Sequence, residues 1–360
     1  MAIVTHRPRP AAILATLSAI GLLVAGPALP ATADTNVVVT TTIQAAVDAA
    51  SPGDTVVVPA GVYREVVRVT TSDLTILGED GAVLDGTGLG APIGIRVRST
   101  DGSRLSGFSL HGLEIRGYSL SGVLLRGVDG FRLTEGSYVD NPLYGIYPIA
   151  STDGRIDHNE VSGARDSGIY IGQSTDILID ANVVHDNTVG IEVELASRVT
   201  VRRNVATANA VGAIVFAIPG LAVKTTEDIL VEDNTFSGNR RANPITDPGE
   251  LLSEVPGGIG LLNIAGDRVR LIGNTVNGNA SAGIGVLSLP PEYAVLDPAV
   301  DPTPDDGVVS GNVTQGNGSN PDPRLAPFPA VDVFWDGSGM NCFDVARSAD
   351  TWSAPLPACP

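Results

Sequence analysis

An all-β solenoid, a single-stranded right-handed parallel β-helix, is what this sequence predicts, because three features recur in step. A phrase of Asn, four residues and Asn occurs five times, as NVVHDN (Asn182, Asn187), NVATAN (Asn204, Asn209), NTFSGN (Asn234, Asn239), NTVNGN (Asn274, Asn279) and NVTQGN (Asn312, Asn317). Gly145, Gly168, Gly190 and Gly212 head apolar segments spaced 23, 22 and 22 residues apart. Polar turns divide each period into three short strand-like pieces. A fixed period in the twenties means stacked coils, each burying its apolar face on the next.

Residues 1–33 read as an export signal. His6, Arg7 and Arg9 form a basic start, Ala11 to Ala25 an apolar run, and Ala31-Thr32-Ala33 a cleavage pattern. The run is too short for a membrane span, and nothing later is long enough. The expected location is therefore secreted or cell envelope, with a mature chain from Asp34. The β-helix is expected over 34–340, followed by a tail over 341–360. Cys342 and Cys359 are the two cysteines of the chain and are expected to pair there. In an oxidising compartment such a short loop contributes about 3 kcal/mol in the chain-entropy model.

Thr41 to Ala50 (TTIQAAVDAA) reads as a short amphipathic helix with Ile43, Ala46, Val47 and Ala50 on one stripe. Ser51-Pro52-Gly53-Asp54 stops it. Placed directly before the first coil, this helix is expected to cap the open end of the core. Within one coil, strand a is 190–196, strand b 199–203 and strand c 205–207. The two asparagines of each phrase then fall at the b–c and c–a turns. Coils stack about 4.8 Å apart, so identical turn asparagines can hydrogen-bond from coil to coil, and Asn tolerates left-handed turn geometry.

The period breaks at three insertions, around 219–226, 240–256 and 290–306. The first and third follow strand a and the second precedes it, so all three are expected to wall the outer face of that sheet. Alternation along strand a points Ile169, Ile171, Ile191, Val193, Ala213, Val215, Ile284 and Val286 inward. Tyr147, Ile149, Tyr170, Gly172, Glu192, Glu194, Ile214 and Phe216 then face outward. A row of tyrosines leading to two carboxylates suits a sugar, since a tyrosine ring offers an apolar face and a hydroxyl. Tyr147, Tyr170, Phe216, Arg165 and Gln173 are the candidate saccharide contacts.

Glu192 and Glu194 allow two readings: ligands of a Ca²⁺ ion, or the paired carboxyls of a glycosidase. A third reading is elimination on a uronate, which needs a base and a cation. Lys224, the single lysine, and Tyr170 are the further candidates for that chemistry, with Arg165, Arg240 or Arg241 as possible sources of charge. His111, His158 and His185 share no face and show no metal-ligand spacing. Asp297, Asp301, Asp305 and Asp306 lack the spacing of a calcium loop.

The formal charge is −18, and −20 without residues 1–33, which hold Arg7 and Arg9 but no acid. Such a balance excludes nucleic acid, which requires basic patches. No phosphate loop or nucleophile elbow is present.

TIQAAVDAASPGDTVVVPAGVY (42–63) looks like the cap and first coil of pectate-lyase-like β-helix proteins, a superfamily with alginate and chondroitin lyases and C5-epimerases. YGIYPIAS (144–151), SGIYIGQS (167–174), VGIEVE (189–194), SEVPGGIGLL (253–262) and the FWDGSG tail (334–339) resemble a bacterial family of exported parallel β-helix repeat proteins. That resemblance implies an envelope role, with an exported c-type haem protein as a partner. The D-P-H-D sequence of the alginate epimerases and the Lys/Arg pair of the lyases are absent, so no catalytic residue carries over. Two functions therefore stand side by side. One is a protein that binds a polysaccharide or oligosaccharide along sheet a and cleaves or epimerises it. The other is a non-enzymatic envelope protein that binds carbohydrate or another exported protein.

Overall fold

The computed structural model of the chain describes residues 35–247, 251–326, 329–345, 351–352 and 356–360. The export signal expected over 1–33 lies outside them. The three strands of each coil pair in parallel with their counterparts one coil away, which builds three long sheets. Sheet b has twelve strands, sheet a eleven, and sheet c seven with two more beyond a gap. The gap is at Thr235, where single bridges to Val205 and Thr275 replace a full strand.

The core is made by register. Ile146, Ile169, Ile191, Ala213, Leu261, Ile284 and Val333 occupy one position in successive strands of sheet a and are all buried. Each large member stabilises the stack by roughly 1.5–3 kcal/mol. Gly190 shows why each of these strands is glycine-led. A Cβ there would lie 2.5 Å from the Gly212 carbonyl oxygen of the next coil.

The capping helix spans Ile43–Ala49, with Thr42 as its N-cap accepting a hydrogen bond from Ala45 N at 3.0 Å. The Glu65 carboxylate accepts two more, from Ile43 N (2.8 Å) and Gln44 N (2.9 Å). Ile43, Ala46 and Val47 are buried in the main core.

The turn asparagines form two hydrogen-bonded ladders. Asn182 donates to Asn204 Oδ1 from its backbone N and from Nδ2, both at 2.9 Å, and Nδ2 also reaches the Ile156 carbonyl at 2.9 Å. The same set repeats through Asn204, Asn234, Asn274 and Asn312. Asn159, outside the five phrases, is one rung earlier. The second ladder runs through Asn187, Asn209, Asn239, Asn279 and Asn317. Asp332 ends it, accepting from Asn317 N at 3.1 Å and Nδ2 at 2.6 Å. The left-handed residue of each turn is the one before the asparagine, not the asparagine itself: Ala181 (φ 56°), Arg203 (55°), Asp186 (59°) and Ala208 (56°). The ladder bonds offset the 1–2 kcal/mol, roughly, that each non-glycine residue loses there.

Two boundaries differ from expectation. The insertions do not simply wall sheet a. From Phe216 onward they close over it, making a second apolar core from Ile214, Phe216, Leu262, Ile264 and Phe334 with Val255, Leu289, Val300 and Leu325. Their apolar side chains outweigh a polar groove there. The solenoid also continues beyond 340. Cys342–Asp344 pairs with Val308–Ser310, and Thr351–Trp352 pairs with Val333–Trp335. The Cys342–Cys359 disulfide fastens this end.

Candidate functional site

Where the second core stops, the outer face of sheet a opens into a pocket of 490 Å³. Its floor is Tyr144, Asp166, Glu192, Glu194 and Phe216. All three insertions reach its rim, through Ile218 and Pro219, Leu251 and Leu252, and Tyr293 and Leu296. Tyr170, Glu192 and Ile214 hold one register position in consecutive strands, and Gly172, Glu194 and Phe216 hold the next outward one. The sequence alternation thus places both carboxyls on the outer face, where insertions then bury them.

The tyrosines cluster rather than lying as a flat row. Tyr144 stacks on Tyr170 with centroids 4.6 Å apart, while Tyr147 meets Tyr144 at 4.5 Å and Tyr170 edge-on at 5.1 Å. Tyr170 is buried, and Tyr144 and Tyr147 are half-buried. Their phenols are raised above the ordinary value, first by burial and then by the carboxylates around them.

Glu192 is 2% exposed and Glu194 is 6%. Glu192 accepts a short hydrogen bond from the Ser167 hydroxyl. Glu194 Oε1 accepts from the Tyr170 hydroxyl at 2.7 Å and from Gln173 Nε2 at 3.2 Å. Burial pushes the Glu192 carboxyl well above its usual value, and Asp166 and Glu194 add to the shift. Burial also lifts Glu194, to about 7, against the opposing bonds from Tyr170 and Gln173. Both carboxyls therefore hold a proton more tightly than a free glutamate, and Glu194 is poised to exchange its proton near neutral pH, as acid–base work requires. Among the described residues no group of three or more His, Cys, Asp or Glu is placed to hold a metal ion.

The other sequence candidates lie elsewhere. Lys224 is paired with Asp297, which joins the first insertion to the third. Arg165 lines a separate pocket of 290 Å³ with Asp140, Asp186 and Arg241. Arg241 pairs with Asp186 at 3.0 Å, and Arg240 donates to the Gly278 carbonyl at 2.8 Å. His111 pairs with Glu135, His158 with Asp157, and His185 with Asp186 and Glu160. Tyr144, Asp166 and Ser167 were missed because they sit at the c–a corner, where alternation no longer decides direction. Register was the available signal, since Tyr144 and Ser167 pair across adjacent coils.

Comparison with known proteins gives a consistent fold. The family model described as "Right handed beta helix region" matches residues 89–218 and 121–297. The A-module of the Azotobacter vinelandii mannuronan C-5 epimerase AlgE4 is similar, with a TM-score of 0.63 and 16% identity, covering 91% of this chain and 100% of that one. DFA-IIIase from Arthrobacter chlorophenolicus A6 without its lid has a TM-score of 0.58 and 15% identity, covering 91% and 98%. Alginate lyase from Paenibacillus sp. str. FPU-7 has a TM-score of 0.54 and 15% identity, covering 85% and 99%. No curated protein matches the chain in sequence.

Proposed function

Because this chain belongs to the right-handed β-helix family, and because a pocket floored by Asp166, Glu192 and Glu194 lies on sheet a beside three tyrosines, we propose that it binds a saccharide there and acts on it by general acid–base catalysis. The observation that carries the reading is the Glu192–Glu194 pair. Glu192 supplies a proton to the departing glycosidic oxygen, and Glu194 near its midpoint removes one from the attacking water or hydroxyl. The tyrosine cluster gives the sugar an apolar wall, and the insertions exclude water from the pair. Similar solved structures include an epimerase, a lyase and DFA-IIIase, which agrees with saccharide chemistry on this scaffold. The pocket lining carries no lysine or arginine, so it favours a neutral sugar unit over a uronate at the reacting position.

The disulfide supports placing the protein outside the cytoplasm, secreted or in the cell envelope. The described residues contain no helix long and apolar enough to cross a membrane.

A second reading is favoured by one observation. Ser167, Tyr170 and Gln173 already satisfy the two carboxyls within the protein, as they would in a binding site that turns nothing over. Under it, the same face recognises carbohydrate or docks an exported partner such as a c-type haem protein.

Product analysis decides between the readings. The chain from Asp34 is incubated with neutral and acidic polysaccharides, and reducing ends, unsaturated uronate absorbance and epimer composition are followed. Products that vanish with Glu194→Gln support catalysis. Retained binding without any product, in wild type and variant alike, leaves the binding reading.

A further inference from the structure

The outward row of sheet a does not begin at the tyrosines. Traced toward the N-terminus, Tyr147 pairs in register with Leu124, Leu124 with Arg96, and Arg96 with Arg68. One row further along the strands, Ile149 pairs with Arg126. Arg126 shares a cleft of 560 Å³ with Arg98, just past the Ile93–Val97 strand.

These four arginines are set apart by their grouping at one end of the outer face of sheet a. Many arginines of this chain are taken up by acids, as Arg132 and Arg155 are by Asp157 and Arg203 is by Asp180, and unpaired ones such as Arg270 lie on other faces. Among the described residues Arg68, Arg96, Arg98 and Arg126 have no ion-pair partner, although the chain carries a net −18. Arg68, Arg98 and Arg126 are exposed and Arg96 is half-buried. Asp101 lines the same cleft and accepts from Ser103 N at 2.9 Å, and Asp129 is held by Arg104.

We propose that Arg68, Arg96, Arg98 and Arg126 form an anion-binding track that holds the acidic units of a polysaccharide whose neutral unit enters the tyrosine–carboxyl pocket. The proposal rests on the saccharide reading of that pocket and names its substrate class. Strands in a sheet are spaced about 4.8 Å apart, so Arg126 and Glu194, three strands apart in register, are separated by roughly 14 Å along the face. A glycan laid along the solenoid axis thus meets positive charge first, then the tyrosines, then the carboxyl pair. Guanidinium groups suit the planar, two-oxygen geometry of carboxylates and equally accept sulfate esters. The same gradient explains how a pocket floored by three acids admits a polyanion: the charged units bind outside it.

The test is titration calorimetry of the chain from Asp34 with polygalacturonate, dextran sulfate and neutral dextran, at low and at physiological ionic strength. The wild type is expected to bind at least one of the two polyanions, more weakly as salt screens the track. Arg96→Gln with Arg126→Gln should weaken that binding about tenfold and flatten its salt dependence. Arg270→Gln, which removes an exposed, unpaired arginine on sheet b, should not. Preference for polygalacturonate or dextran sulfate identifies the anionic group as carboxylate or sulfate. No polyanion binding, an unaffected double variant, or an equal loss with Arg270→Gln would each overturn the track. Polyanion affinity without turnover sinks the catalytic reading and keeps the track. Turnover of a neutral glycan without polyanion affinity does the reverse.

Discussion

Asn234 and Asn274 lie forty residues apart in sequence yet are adjacent rungs of one ladder, with Asn234 Nδ2 donating to Asn274 Oδ1 at 2.9 Å. The 240–256 insertion between them changes neither the bond nor the register on either side. The ladder, rather than the length of chain per coil, therefore sets the alignment of successive turns.

Asn234→Ala should be strongly destabilising. It removes bonds to Val201 O and Asn274 Oδ1 and leaves Asn204 N without its acceptor inside a dry turn, while Asn204 Nδ2 keeps its bonds to Ile179 O and Arg202 O. A loss of about 3 kcal/mol is expected, from a buried donor left unsatisfied together with the lost bonds. Denaturant unfolding measures it, and a loss below about 1 kcal/mol would contradict the ladder's role.

The Glu192–Glu194 pair makes stability fall with rising pH over a defined window. The folded-state value of Glu194 is about 7, raised from 4.5, so the unfolded chain ionises first as pH increases. Its contribution is complete below about pH 4.5 and is lost as pH rises toward 7, at most about 3 kcal/mol. Buried Asp157, lowered chiefly by its bonds to Arg132, His158 and Arg155 against burial, acts oppositely and only in strong acid. Comparing melting curves of the wild type with Glu194→Gln isolates the pair. The variant should be the more stable of the two at pH 7.5 and lose that advantage by pH 4.5.

Tyr170→Phe removes the phenolic donor that favours ionised Glu194. The carboxyl should then titrate still higher, and any acid–base rate profile should move to higher pH with it. Carbon-detected NMR of the Glu194 carboxyl reads the shift directly. An unchanged or lower midpoint would contradict the assigned role of the bond.

Lys224→Ala unlatches the first insertion from the third, because Asp297 receives both Lys224 Nζ and Gly220 N. Proteolysis within 290–306 should accelerate severalfold, with the global melting temperature little changed, since this half-buried ion pair joins two insertions and lies outside the main core. Equal cleavage rates for variant and wild type would mean that the apolar contacts of the insertions hold them alone.

The fold was legible in the sequence because its determinants are local and periodic: glycine at the head of strand a, apolar alternation, and asparagine at fixed turns. The capping helix was legible from the Ile43, Ala46, Val47 stripe and the Ser51-Pro52-Gly53-Asp54 stop. The directions of Tyr147, Tyr170, Glu192 and Glu194 followed from the two-residue strand period. What did not follow was their environment. Burial of Glu192 and Phe216 comes from insertions with no period, whose packing is a tertiary matter. Tyr144, Asp166 and Ser167 escaped notice because corner residues obey neither strand alternation nor the turn rule.

Side-chain bonds that hold their alignment across insertions of quite different size free those connections from the duty of spacing the coils. A connection between rungs can lengthen, shorten or change composition while the scaffold stays in phase. Natural variation in this chain should therefore be tolerated in the inserted segments and in whole added or deleted turns of about 22 residues, and rejected for fractions of a turn that shift an asparagine out of line. Such a lineage can acquire new ligand preferences by rewriting its loops while leaving its frame untouched.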